Sequence, residues 1–321
     1  MAENRIVWID WVKAIGIYLV VLGHYDLPNK DITGYIFMFH MALFFFISGF
    51  LTSENSMNLS WKDFLKKKIV SLIIPYYLYQ LICGIWPTIL VFIGKEFNYS
   101  DLIFGSVIGL PLKMFCGPGW FLLALFWCSL LLRFNNIYIN FLLLGGLLYL
   151  RYFIDRPFLM SIDTVPLAFM FYASAYYFKK YRTIVMLYIS KHKYIASLFT
   201  PILFVIVGII YSLIGQQNLL LAYVTDKPIV SIIAAYMAIF AICAISVVLS
   251  EINSPFITQI SNSTLFIMCI HMVIISFVTV VIDIQNNMII SLISALIITC
   301  VLTIITPYIR RFFPLLIGNR K

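Results

Sequence analysis

Apolar residues run almost unbroken along this chain, in stretches long enough to cross a bilayer, separated by short polar joints. A helix needs about 20 apolar residues to span a hydrocarbon core ~30 Å thick. On that criterion the pattern predicts ten spans, over residues 6–26, 32–53, 69–94, 118–134, 136–152, 164–179, 194–214, 228–250, 262–282 and 288–309. The stretch 98–116 is only moderately apolar and is bracketed by Asn98 and Pro118, which predicts a short interfacial or re-entrant helix. The runs are continuous rather than alternating, which argues against a transmembrane β-barrel. No internal repeat is visible. The fold class is an all-α polytopic membrane protein, a bundle of about ten transmembrane helices. It forms one integral-membrane domain over residues 1–321, with no separate soluble domain.

Composition sharpens this picture. Of 321 residues, 63% are hydrophobic and 11% charged, against roughly 45–50% and about 25% in soluble domains. A soluble enzyme, a disordered tail and a disulfide-rich secreted module are all excluded. The net charge of +9 sits in a few joints, so membrane orientation and anionic lipid account for it without a nucleic-acid partner. With the N-terminus inside, most of the 22 basic residues fall on the inner face, from Arg5 through Lys62–Lys68, Arg133, Lys179–Arg182, Lys191 and Lys193 to Arg310–Lys321. Lys30, Lys95, Lys113, Arg151, Arg156 and Lys227 fall outside, and Lys13 lies within the membrane. The positive-inside rule then places both termini in the cytoplasm. The six cysteines show no paired spacing and read as small hydrophobes, with no disulfide framework and no metal site expected. The first apolar run carries Asp10 and Lys13 and no small-residue cleavage site, so it reads as a retained span rather than a signal peptide.

The chemistry concentrates in that first span. An Asp or Lys at the centre of a membrane helix costs about 2.5–3.5 kcal/mol on insertion scales. Asp10, Lys13 and His24 fall on one helical stripe, at about 100° per residue. Asp10 and Lys13 are also an i,i+3 pair able to neutralise each other. Such a stripe faces a bundle interior or a wet cavity; the alternative is that Lys13 snorkels from the cytoplasmic interface. His40 in the second span and His271 in the ninth add two more intramembrane imidazoles, while His192 sits among lysines in a cytoplasmic joint. A lone buried histidine is more often a packing residue. Three in one bundle point to a general base, since imidazole is neutral near pH 7.

The wording of these segments resembles a known family. Lys13 followed by ten residues and His24, in RIVWIDWVKAIGIYLVVLGH, resembles the R/K-x10-H signature of integral-membrane acyltransferases of the acyltransferase-3 superfamily. FHMALFFFISGFL is similar to the family's FxMPLFFFISGFL, with Ala42 where proline is common. GPGWFLLAL resembles GPLWFLLAL, and STLFIMCIH resembles the late S-x-x-I-Y-x-x-H helix, with Met268 near the usual aromatic. KKKIVSLIIPYY resembles the basic run before the third span, with lysines in place of the family's RxxR pattern. These motifs cover spans one to four and nine. The wording is nearest to the fucose 4-O-acetylase-like and polysaccharide O-acyltransferase branch.

The resemblance implies transfer of acetyl, or another short acyl group, from cytoplasmic acyl-CoA to a hydroxyl of a cell-surface or exported glycan, at a bacterial inner membrane. Acetyl-CoA is then a donor substrate, and no permanently bound cofactor is implied. His24 is the implied base or acyl carrier, supported by Lys13 and Asp10. His40, His271, Trp120 and Ser48 are candidate pocket residues, and Lys66, Lys67 and Lys68 candidates for the CoA phosphates. Topology charge alone is the alternative reading of those lysines. The implied partners are acyl-CoA, a glycan or lipid-linked glycan, membrane lipid, and polysaccharide synthesis and export machinery. Two other classes fit the hydropathy: an exporter of a glycan or lipid-linked sugar, and a non-catalytic subunit of a polysaccharide synthesis complex.

Overall fold

The computed structural model describes residues 5–25, 27–92, 94, 98–134, 136–153, 158–215, 227–282 and 287–318. The basic residues Lys95, Arg156, Arg320 and Lys321, and the side chains of Arg151 and Arg182, lie outside the described residues. The described residues are helical, with no strand among them. In chain order the helices are α1 (Val7–Gly23), α2 (Lys30–Phe37), α3 (His40–Phe50), α4 (Glu54–Met57), α5 (Trp61–Lys68), α6 (Ile74–Phe92), α7 (Tyr99–Ile108) and α8 (Trp120–Phe134). They continue as α9 (Ile137–Phe153), α10 (Val165–Phe178), α11 (Arg182–Lys191), α12 (Lys193–Ile214), α13 (Pro228–Leu249), α14 (Pro255–Ile282) and α15 (Met288–Phe312). Among the described residues, seven helical stretches are long and apolar enough to cross a membrane. The other three expected spans, 6–26, 136–152 and 164–179, form helices of 17, 17 and 14 residues. At 1.5 Å per residue, α1 reaches about 25 Å, short of the ~30 Å core.

Two of the expected spans are not single regular helices. The second breaks at Phe39, whose φ of −137° separates α2 from α3. There the Ile36 carbonyl accepts from the Phe39 N–H (3.2 Å) and from His40 Nδ1 (2.9 Å), so an imidazole completes the interrupted ladder. The third runs from α5 through a π-helical segment, Ile69–Ile73, into α6. Such segments widen a helix locally and recur at functional sites. The expected short helix in 98–116 is α7, which stops at Gly109 in the left-handed conformation. The chain then folds back, and Cys116 N–H donates to Gln80 Oε1 of α6 (2.8 Å).

Helix α1 is the hub. It packs against α2, α3, α13, α14 and α15, which is why a segment carrying Asp10, Lys13 and His24 is stable in this position: its polar side chains meet other helices rather than lipid. Helix α10 packs on α3 and α8. Gly49 makes the first of these contacts close, because a Cβ there would run into the Tyr172 carbonyl. Helix α12 lies on α13 at the periphery, with Leu198, Val205 and Leu213 exposed as a lipid-facing surface requires.

Candidate active site

The site has two parts, a lysine end and a histidine end. At the lysine end, Ser60 caps α5, accepting from the Asp63 N–H (3.1 Å), and the last turn carries Lys66, Lys67 and Lys68. Cations at a helix C-terminus complement its dipole. These lysines, Ser48 and Lys13 line one cavity of 1060 Å³. Lys13 Nζ also donates to the Ser261 carbonyl of α14 (3.4 Å). The cavity is also lined by residues that the sequence did not single out: Tyr172 of α10, Asn262 of α14, and Ile317 and Gly318 of the C-terminal turn. That turn is tied to α6, where Tyr79 Oη donates to the Leu316 carbonyl (2.9 Å).

Asp10 has a partner the sequence did not name. Arg5, in the chain just before α1, donates to both of its carboxylate oxygens, at 2.6 and 3.0 Å. Thr258 adds a third donor at 3.4 Å. Asp10 is buried while the Arg5 side chain is 46% exposed. The pair therefore fastens the start of α1 to the start of α14, about 21 Å of helix rise from His24.

At the other end the structure brings His24, His40 and His271 together. The His24 ring lies 4.8 Å from that of His271 and 6.4 Å from that of His40, centroid to centroid. Phe37 packs against His24 and His40 at 5.4 and 5.0 Å. All three imidazoles are anchored alike, each Nδ1 on the carbonyl four residues back: Val20 at 2.8 Å, Ile36 at 2.9 Å and Ile267 at 3.0 Å. A carbonyl only accepts, so each Nδ1 carries the hydrogen and each neutral ring keeps its lone pair on Nε2. The fully buried His271 Nε2 has no hydrogen-bond partner among the described residues. A buried, unsatisfied acceptor costs about 1–3 kcal/mol, a penalty that a substrate hydroxyl or a water would relieve.

Trp120 does not line the cavity. It starts α8, buried against Phe45 (6.1 Å) and Phe121 (6.5 Å). His192 lies far along the chain from the cluster, with its ring 4.7 Å from Tyr188. All six cysteines are free thiols.

Arg133 was read from the sequence only as topology charge. In the structure it donates to the Met57 and Leu59 carbonyls and lies 4.8 Å from the rings of both Trp61 and Phe64. It holds α5, and so the three lysines, against α8.

A cluster of imidazoles one helical turn from a basic cavity is an arrangement suited to group transfer. The acyltransferase-3 family, described as an acyltransferase domain, matches residues 6–309. The chain belongs to this family. It is also 39% identical over 84 residues to the nodulation protein NolL of Sinorhizobium fredii (strain NBRC 101917 / NGR234), a match spanning 23% of each chain. No solved structure matches.

Proposed function

We propose that this acyltransferase takes a short acyl group, in the first instance acetyl, from cytoplasmic acyl-CoA and places it on a hydroxyl of a cell-surface or exported glycan, from a bacterial inner membrane. The observation that carries the reading is the histidine cluster, one helical turn beyond the end of a lysine-rimmed cavity. Lys66, Lys67 and Lys68 are suited to the CoA phosphates, with Lys13 and Ser48 further along the cavity wall. His24 Nε2, a free lone pair on an anchored ring, accepts the proton of the acceptor hydroxyl. The hydroxyl oxygen then attacks the thioester carbonyl, the C–S bond breaks, and CoA leaves as a thiolate that takes up a proton. The developing oxyanion needs a donor; a second imidazole can supply one only when protonated at Nε2, since its Nδ1–H is held by a backbone carbonyl.

The test is release of CoA thiol from acetyl-CoA by purified protein in detergent, native against His24→Ala. The native protein should release thiol and the variant should lose at least 99% of that rate. An exporter or an assembly subunit releases none in either form.

A further inference from the structure

Between the cavity and the histidines lies a short wall. On α3 the cavity-lining residues run back from Leu51 through Ser48 and Ile47 to Phe44, one turn short of His40. On α14 they run from Asn262 through Thr264 and Leu265 to Met268, three residues short of His271. Two helices, both packed on α1, thus end the cavity one turn before a histidine. That is a rise of only about 5 Å. Both terminal residues are buried, Phe44 at 5% and Met268 at 2% exposure.

The two side chains differ in freedom. The Phe44 ring is wedged: a Cβ on Gly16 of α1 would lie 3.2 Å from its Cζ, and Phe121 of α8 packs edge-on at 6.3 Å. Met268 is unbranched, with three rotatable side-chain bonds and a polarisable sulfur, the side chain best able to yield to a passing group. We propose that Phe44 and Met268 form the gate between the donor cavity and the histidine cluster, Phe44 as its fixed side and Met268 as its moving one, and that their bulk selects short acyl groups. The proposal rests on acyl-CoA being the donor. A thioester carrying two carbons passes after a rotamer change at Met268. A longer chain requires space that the wedged phenyl ring occupies.

The experiment measures thiol release from acetyl-, butyryl- and hexanoyl-CoA by the native protein, Met268→Ala, Phe44→Leu and Met268→Phe, each first shown to be monodisperse in detergent. Inhibition by free CoA reports the lysine end separately. The expected result is at least a tenfold rise in the butyryl-to-acetyl ratio of kcat/KM for Met268→Ala and Phe44→Leu and a fall for Met268→Phe, with the inhibition constant of CoA unchanged. A ratio that stays constant across all four proteins, whatever their absolute rates, overturns the gate. A native protein inert toward all three thioesters overturns the donor reading and the gate with it, so the two failures are distinct. Phe44→Leu and Met268→Ala come from different helices, so a folding defect in one leaves the other to decide.

Discussion

His24 and His271 meet edge to face, and His271 Nε2 has no protein partner among the described residues. Replacing His24 with alanine leaves a polar space large enough for water, so the loss of activity should come with a shift of only a degree or two in Tm. Parallel loss of expression and activity would mark a packing histidine instead. The ion pair at the other end of α1 calls for an asymmetric result. Arg5→Ala strands a buried carboxylate, whereas Asp10→Asn returns a half-exposed guanidinium to water. Arg5→Ala should therefore lower Tm more than Asp10→Asn, and equal losses would show that Asp10 is not carrying charge. The histidines and Lys13 were legible in the sequence because polar groups in an apolar run have few tolerable destinations. Asp10 was legible as a buried charge, but Arg5 as its partner was not, because helical spacing points to Lys13 and says nothing of the chain before α1. Tyr172, Asn262 and Ile317 were not legible as cavity residues, since they come from segments brought together only by tertiary packing.

At the level of elements, the lysine helix depends on Arg133. A hydrogen bond from a charged group is worth about 1.5–3 kcal/mol, and this guanidinium makes two while lying against two aromatic rings. Arg133→Lys keeps the charge and loses the planar fork. It should weaken inhibition by free CoA several-fold while leaving the histidine cluster intact, a KM effect rather than a kcat effect. A fall in kcat at unchanged KM would contradict the clamp. Gly49 gives a harder case: a methyl there forces α10 away from α3, and overpacking costs typically about 1–3 kcal/mol or more. Gly49→Ala should fail to give monodisperse protein or should melt well below the native chain. Helices occupy each predicted stretch, and seven helical stretches among the described residues are long and apolar enough to cross a membrane. The break at Phe39, the π-helical segment and the shortness of α1, α9 and α10 were not readable, because hydropathy measures how apolar a segment is and not whether its hydrogen-bond ladder is continuous.

Across the whole molecule, α1 connects the two parts of the site, with Lys13 on the cavity wall and His24 at the helix's C-terminal end. His24 is eleven residues beyond Lys13 on α1, about 16 Å; on α14 the cavity residues precede His271, and on α3 they follow His40. A protein that draws its donor from one face and presents the base toward the other should be sided. In sealed inside-out vesicles, acyl-CoA in the bath meets the lysine end if Lys66–Lys68 are cytoplasmic, and thiol release should proceed. In sealed right-side-out vesicles it should be absent until the membrane is permeabilised. Acidification adds a second readout, because protonation fills the Nε2 lone pair that must accept the hydroxyl proton. The rate must fall as pH drops through the imidazole range, near ~6.5 for an unperturbed ring. In inside-out vesicles the histidine end faces the lumen, so lowering lumenal pH at constant bath pH should suppress turnover more than the reverse gradient. Equal turnover in both sealed orientations would remove the sidedness. A rate flat from acid to neutral pH, with the chemical step shown to be limiting, would leave His24 a positioning residue rather than the base.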